Sequence, residues 1–218
     1  MHLGKIFAIV KKDFDIEIRQ KYAVGGVILF AVTSAYFIYK TFTELVRMEW
    51  NILLWFIVLY AGLNAIVKSF LQERQETYLY YYTLFDPLDV ILGKLIYNIL
   101  FMLFLSGIVI GVFTILLGNP IVEHGLFYQG LFLGVIGISA VFTFVSSVSG
   151  AGGANSTMMS ILALPLVLPN VLLMQKVTSV SMRLIQDSSV SNDLFMMFGI
   201  DLLMIGMMLL IFPSVWRS

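Results

Sequence analysis

Asp201 is the only carboxylate inside a long apolar stretch of this sequence, so it is the first residue to consider for chemistry. An ionised carboxylate costs about 2.5 kcal/mol or more near the centre of a bilayer, and it should therefore face protein or water. The stretch is predicted to begin at Leu194, which places Asp201 about two helical turns from one end. Asp201 is either a functional intramembrane polar site or a carboxylate that snorkelling or a nearby Ser satisfies.

Other residue types that carry chemistry are sparse. His2 and His124 are the only imidazoles, the chain has no Cys, and the methionines that could ligate iron are ordinary filling of apolar helices. The glycine-rich stretch 146–156 contains no Gly-Lys-Ser or Gly-Lys-Thr, so it is not a phosphate-binding P-loop. The sequence predicts no catalytic, cofactor-binding or metal site on this chain, and any ATP would be bound by another chain.

The composition is that of a membrane protein. Apolar residues make up 60% of the chain and charged residues 12%, against about 45–50% and about 25% in soluble domains. The net charge of +0 gives no general attraction to nucleic acid. Charges between Lys11 and Arg19 interrupt the first apolar residues, so we expect no cleavable signal peptide.

The elements that must position these residues are apolar helices. About 20 apolar residues, each rising about 1.5 Å, cross about 30 Å of hydrocarbon. The sequence predicts one all-α integral membrane domain, residues 1–218, with an N-terminal interfacial helix at 3–19 and six transmembrane helices. The predicted spans are 22–39, 50–67, 95–117, 126–145, 157–174 and 194–215.

The segment 3–19 has the pattern of an amphipathic helix that lies in the membrane interface. Lys5, Lys12, Asp15 and Arg19 lie opposite its apolar face, although Glu17 intrudes on that face. The predicted apolar face consists of Leu3, Ile6, Phe7, Val10, Phe14 and Ile18, with Ile9 and Ile16 outside it.

Small residues and prolines mark positions of close packing and bending. Gly107–Gly111 and Gly130–Gly134 are GxxxG patterns, which fit either incidental packing or a dimer seam. Pro165 and Pro169 are predicted to bend the fifth span, because each removes a backbone donor and clashes with the preceding turn.

The placement of Lys and Arg predicts the orientation. With the N-terminus in the cytoplasm, nine of the thirteen basic residues lie on the inner side and four on the outer side. Both termini and the segment 69–94 are then cytoplasmic. The loop after the fourth span is also predicted inside, although it carries no basic residue.

The segment 69–94 is the longest polar interruption between two apolar spans. It breaks at Asp86-Pro87 and restarts at Gly93-Lys94. A solvated loop with interfacial tyrosines is one interpretation, because Tyr is favoured at membrane surfaces. The other is a short cytoplasmic helix presented to a partner protein. The residues that would make that contact are Glu73, Arg74, Glu76, Tyr78, Tyr81, Tyr82 and Pro87.

Two stretches carry a resemblance to a known family. Glu73–Thr77, Asp86-Pro87 and Leu92–Lys94 resemble the Glu-Arg…Gly-Thr-Leu-Glu…Pro…Gly-Lys pattern of type-2 ABC exporter permeases, with a departure at Thr77-Tyr78-Leu79-Tyr80. The small size and the stretch Leu164-Pro165-Leu166-Val167-Leu168-Pro169 are similar to CcmB, the membrane subunit of a haem-handling system for c-type cytochrome maturation. The resemblance covers nearly the whole chain.

The resemblance implies the type-2 ABC exporter permease fold in the inner membrane, with the segment 69–94 as the coupling segment. It implies ATP on a separate ABC ATP-binding subunit, and haem or a haem-loaded chaperone as cargo. The implied partners are that subunit, a second copy of this chain, other haem-handling membrane proteins of cytochrome c maturation, and membrane lipids. The alternatives are a permease for a polymer, lipid or drug, and, from another class, a structural assembly subunit or a channel.

Overall fold

The chain folds into a helical bundle. The computed structural model describes residues 3–19, 21–42, 45–76, 85–151, 156–186 and 189–216. Within these ranges there are seven helices, which confirms the all-α prediction for this part of the chain. They are α1 (Leu3–Arg19), α2 (Lys21–Thr41), α3 (Arg47–Glu76), α4 (Pro87–Leu117), α5 (His124–Ala151), α6 (Ser156–Ser181) and α7 (Val190–Trp216).

Five of these helices are long and apolar enough to cross a membrane. The five stretches are Arg47–Ile66, Pro87–Leu117, His124–Ser149, Ile161–Ser181 and Val190–Ser214. They overlap the second to sixth predicted spans. The helix α2 has 21 residues, and the apolar stretch identified among its described residues is Ile28–Thr41. The first predicted span, 22–39, and the total of six spans therefore stay predictions.

Both flanks of the segment 69–94 are helical. α3 continues through the charged residues to Glu76, and α4 begins at Pro87 directly after Asp86. Proline suits this first helical position because its missing N–H would have no partner within the helix. Gly93 and Lys94 lie inside α4, and they do not start a new helix after a break.

The helix α5 occupies the centre of the bundle and packs against α3, α4, α6 and α7. Its glycines let α6 approach closely. A Cβ atom on Gly130 would lie 2.9 Å from Val177 Cγ1, and one on Gly134 would overlap a side chain of α6. This GxxxG pattern is therefore a packing seam within one chain. In contrast, a Cβ on Gly107 or Gly111 would meet no atom within 4 Å among the described residues.

Buried aromatic rings hold α3 against its neighbours at the end of the bundle where α3 begins and α6 ends, here called the Arg47 end. Trp50 packs edge-on against Phe113 with ring centroids 5.6 Å apart, and Trp55 stacks on Phe127 at 6.0 Å. These two ring pairs link α3 to α4 and α5. The opposite end of the bundle, where α3 ends and α4 begins, is called the Pro87 end.

The helix α1 packs mainly on α4 and also touches α2. Its buried face consists of Ile6, Ile9, Val10 and Asp13, whereas Leu3 and Phe7 are 79% and 70% exposed. The predicted apolar face was therefore partly wrong, since Ile9 was placed outside it. The sequence pattern merged two apolar surfaces, one against α4 and one exposed, because both recur at helical spacing.

The helix α6 continues through Pro165 and Pro169 from Ser156 to Ser181. Each proline removes one backbone donor from the helix, so the carbonyl one turn earlier has no helical partner there. The bend at these residues stays a prediction. Asn170, the residue after the second proline, is buried in the centre of the bundle.

Candidate intramembrane polar site

Asp201 lies close to the middle of α7, with its side chain buried. It is the twelfth residue of the apolar stretch Val190–Ser214 and is 3% exposed. The predicted span began only at Leu194. Because α7 starts at Val190, Asp201 lies about 16 Å along the helix, deeper than the two turns expected from the sequence.

The partner of Asp201 is an amide on the neighbouring helix. Asn170 Nδ2 donates a hydrogen bond of 2.7 Å to Asp201 Oδ1, and Asn170 is 1% exposed. Asn170 is itself the tenth residue of the stretch Ile161–Ser181. The bond therefore joins the middle of α6 to the middle of α7 at a depth where an unsatisfied polar group costs several kcal/mol.

Gly137 of the central helix α5 forms the third wall of this site. A Cβ atom built on it would overlap both Asn170 Nδ2 and Asp201 Oδ1. Three helices therefore meet here at their mid-points, and only a residue without a side chain allows α5 to lie against the Asn–Asp pair. We call Gly137, Asn170 and Asp201 the mid-bundle site.

Two oxygens of the mid-bundle site stand out. Asp201 Oδ2 and Asn170 Oδ1 are buried, and neither has a hydrogen-bond partner among the described residues. Buried polar atoms are nearly always hydrogen-bonded. Both of these atoms accept hydrogen bonds, and a carboxylate has no donor of its own. The site is therefore built to receive a donor or a cation.

A second polar cluster lies nearer the Arg47 end and has a well-connected network. Asn51 Nδ2 donates to Ser179 Oγ at 2.9 Å, and Thr178 Oγ1 donates to Asn51 Oδ1 at 2.9 Å. Trp55 Nε1 donates to Thr178 Oγ1 at 3.0 Å. This cluster joins α3 to α6, and its side chains satisfy one another.

Closer to the Pro87 end, a third polar contact joins α4 to α5. Asn98 Nδ2 donates to Thr143 Oγ1 at 2.8 Å, and Ser139 Oγ donates to the Asn98 carbonyl at 3.4 Å. Asn98, Thr143 and Ser139 are all buried. The central helix is thus held by polar contacts as well as by apolar packing.

Charged residues pair near the Arg47 end. Lys176 Nζ lies 2.8 Å from Asp193 Oδ2, which links α6 to α7. Arg183 Nε lies 3.5 Å from Glu123 Oε1, at the start of α5. The charge of Lys176 is therefore compensated by Asp193. Lys176 lies about 9 Å along α6 from Asn170.

The junction of α1 with α4 is the other concentration of buried charge. Lys94 Nζ lies 3.8 Å from Asp13 Oδ2, and both residues are buried. A Cβ atom on Gly93 would lie 2.8 Å from Ile9 Cγ2, so α1 sits directly against the backbone of α4. Asp89, in the first turn of α4, is fully buried as well.

The comparison with known families decides the identity of the chain. The family model described as CcmB protein matches residues 4–215, nearly the whole sequence. The chain belongs to the CcmB family. No curated protein matches it, and no solved structure does.

Membership in the CcmB family confirms the resemblance seen in the sequence. Together with five membrane-spanning candidates, it supports a multi-pass membrane protein of the transport machinery for c-type cytochrome biogenesis. The CcmB family is the membrane component of a haem exporter ABC system with other subunits, and it is not itself a catalytic enzyme.

The residues of the predicted coupling surface lie only partly within the described part of the chain. Glu73, Arg74 and Glu76 lie in the last turns of α3, whereas Tyr78, Tyr81 and Tyr82 fall outside the described residues. Pro87 starts α4. Pro87 lies close in sequence to Gly93 and Lys94, the α4 residues that contact α1.

Sequence analysis singled out Asp201 but did not join it to its partner. Neither Asn170 nor Gly137 was identified from the sequence as its neighbour. The signal that could have linked them is their position, since all three lie at the centres of neighbouring apolar stretches. His124 is exposed at the start of α5, and His2 lies outside the described residues. In the part of the chain that the structure describes, no group of three or more His, Asp or Glu side chains could hold a metal ion.

Proposed function

We propose that this chain is the membrane-spanning permease subunit of an ABC complex in c-type cytochrome biogenesis. ATP hydrolysis on a separate ATP-binding subunit would drive the export of haem, or the release of a haem chaperone. The observation that carries this proposal is the α1–α4 junction, because it anchors the helix that begins within the coupling segment, at Pro87. Family membership supports the transport setting.

A coupling segment transmits force only if the helices on either side of it are firmly held. Here α4 begins at Pro87 and is clamped by α1 within its first three turns, through Ile9 against Gly93 and Asp13 against Lys94. Phe14 adds an edge-on contact to Tyr97, with ring centroids 5.1 Å apart. A push on the segment would therefore move α1 and α4 as one unit.

From α4, contacts lead to the centre of the bundle. Asn98 bonds Thr143 of α5, and α5 lies against the Asn170–Asp201 pair at Gly137. These contacts form a continuous packed route from the Pro87 end to the mid-bundle site.

We assign the contact with the ATP-binding subunit to the coupling segment. The anchors of this interface would be Tyr78, Tyr81 and Tyr82. Its register would be set at the rim by Glu73, Arg74 and Glu76, and its last contact residue would be Pro87. Aromatic anchors usually dominate interface energies, and rim charges mainly select the partner. ATP belongs to that partner, and haem is cargo and not a bound cofactor of this chain. A second copy of the chain would complete the permease in the inner membrane, with both termini in the cytoplasm.

The test is the double variant Tyr81→Ala with Tyr82→Ala. Truncating two aromatic anchors costs about 2 kcal/mol or more each in binding, so the ATP-binding subunit should no longer co-purify and the yield of c-type cytochromes should fall. The matched control is Tyr36→Ala with Tyr39→Ala, because these tyrosines are exposed and lie in the last two turns of α2, outside the coupling segment.

Three outcomes separate the interpretations. Loss of both co-purification and cytochrome yield, with normal protein abundance, supports the proposal. Loss of co-purification with normal cytochrome yield indicates a permease for another cargo. If both measurements stay at wild-type level, the segment is a solvated connector and the proposed coupling surface is wrong.

A further inference from the structure

The mid-bundle site has an unusual balance of hydrogen-bonding groups. Asp201 and Asn170 share one hydrogen bond of 2.7 Å, yet each keeps one buried oxygen without a partner among the described residues. Both residues are more than nine-tenths buried. Neither of these oxygens is a donor in an ionised carboxylate or an amide, so one of them must carry a hydrogen atom or face a third group.

The charged groups on the surrounding helices do not compensate an ionised Asp201. The helix α7 packs against α4, α5 and α6. The only imidazole of α5 is His124, about 20 Å along the helix from Gly137, and α5 carries no Asp, Glu, Lys or Arg. In α6 the only charged residue is Lys176, which is paired with Asp193 of α7.

The remaining charged residues of α4 lie toward the Pro87 end. They are Asp89 and Lys94, and Lys94 is paired with Asp13 of α1. An ionised Asp201 would thus be a charge at the centre of a span with a neutral amide as its hydrogen-bond donor, which is energetically unfavourable.

We propose that the mid-bundle site is a proton-binding site, in which Asp201 is a neutral carboxylic acid that donates its proton to Asn170 Oδ1. The amide donates to Oδ1 of the acid, and the acid O–H at Oδ2 donates back to the amide oxygen. Both orphan oxygens are then satisfied in one closed pair. Gly137 completes the site by letting α5 cover the pair.

The protonation state of Asp201 depends on whether water reaches the contact of α6 and α7 with α5. A neutral acid–amide pair is stable in a dry, packed interior, whereas a carboxylate is stabilised by hydration. Any movement that separates α7 from α5 and admits water therefore favours release of the proton. This inference does not depend on the nature of the cargo or of the ATP-binding partner.

The substitution that isolates the proton is Asp201→Asn. An amide has the shape of the neutral acid and can donate to Asn170 Oδ1, so the thermal unfolding midpoint of the purified chain in lipid nanodiscs should equal that of wild type. Asp201→Leu removes both hydrogen bonds and should lower the midpoint by about 5 °C.

The matched control is Asp193→Asn in the same helix. Asp193 is paired with Lys176, so loss of its charge should lower the midpoint, in contrast to the neutral change at Asp201. If Asp201→Asn lowers the midpoint as much as Asp201→Leu does, Asp201 needs its charge and the proposal is wrong.

A second measurement detects the proton directly. Infrared difference spectra between wild type and Asp201→Asn, with carbon-13 in the aspartate carboxyl groups, should show one lost band from a protonated carboxyl that shifts in heavy water. Loss of carboxylate bands instead would show that Asp201 is ionised. A water molecule or a cation would then be the group that the two oxygens bind, and the assignment of a proton would be overturned.

Discussion

At the scale of single residues, the protein places its polar groups where they are most costly and pairs them across helices. Asn170 and Asp201 meet at mid-depth, and Asn98 and Thr143 meet nearer the Pro87 end. Polar contacts of this kind add to helix association in membranes, typically by about 0.6 kcal/mol and at most about 2 kcal/mol. Their geometry matters more than their strength, because each fixes one register of two helices.

The first residue-scale prediction concerns Gly137. We expect Gly137→Ala to destabilise the purified protein, because the added methyl overlaps Asn170 and Asp201 and overpacking of this kind costs about 1–3 kcal/mol. The measurement is the thermal unfolding midpoint, which shifts by about 2–4 °C for each kcal/mol in a chain of this size.

The matched control for Gly137 is Gly107→Ala in α4. A Cβ at that position meets no atom within 4 Å among the described residues, and Ala is the better helix former by about 0.5–1 kcal/mol. Its midpoint should equal or slightly exceed that of wild type. Equal midpoints for both variants would mean that α5 does not press on the mid-bundle pair.

At the scale of helices, α1 is a structural part of the bundle as well as an amphipathic segment. Its buried face meets the first turns of α4, at the end of the coupling segment, while Leu3 and Phe7 remain exposed. The salt bridge of Asp13 with Lys94 is largely buried, and Asp13 also pairs with Lys12 at 3.1 Å. This arrangement explains why charges occur on the inner face of α1.

We predict that Gly93→Leu displaces α1 from α4 while leaving the protein inserted in the membrane. The larger side chain collides with Ile9 and approaches the Ile6 carbonyl, which a Cβ would already meet at 3.4 Å. A short bifunctional thiol crosslinker between cysteines introduced at Phe14 and Tyr97 should join the two helices in the parent, and should join them much less efficiently in this variant.

The natural chain has no Cys, so the crosslink reports only the introduced pair. The control is Gly111→Leu in the same helix, where a Cβ meets no atom within 4 Å among the described residues, and its crosslinking should match the parent. Undiminished crosslinking in Gly93→Leu would show that α1 follows α4 without close packing, and would weaken the proposed coupling route.

At the scale of the whole molecule, the bundle is organised around one buried helix. The helix α5 packs against four others, and its neighbours α6 and α7 expose broad apolar faces, such as Leu172 and Leu210. Exposed apolar surface of this extent fits contact with lipid. The orientation of the bundle in the membrane remains the prediction from basic residues.

That orientation is testable with single cysteines at exposed positions. Cysteines at Lys11 and Asp86 should be labelled by a membrane-impermeant reagent only from the cytoplasm, and cysteines at Glu123 and Ile185 only from the opposite side. All four positions are exposed, so burial does not prevent labelling. Labelling of Asp86 and Glu123 from the same side would rule out a single crossing by α4, and labelling of Lys11 from outside would reverse the predicted topology.

Much of this architecture is already present in the sequence. Long apolar stretches without charge have to satisfy their backbone groups internally, so helices at the second to sixth predicted spans follow from composition and length alone. The family resemblance likewise rests on local motifs at 73–94 and 164–169, and such motifs can be recognised in the sequence without a structure. Asp201 could be identified as a candidate site residue because an ionised carboxylate inside an apolar span is energetically unfavourable, whichever way its side chain points.

Only the tertiary structure decided which residues meet. Asp201 and Asn170 are 31 positions apart, and Gly137 is farther still, so no local spacing relates them. The face of α1 that is buried was also undetermined, because its apolar residues supply two surfaces at the same helical period. The physical reason is the same in both cases: helical periodicity defines faces on each helix, whereas the packing of helices against one another determines which faces touch and which polar atoms are left to bind a proton.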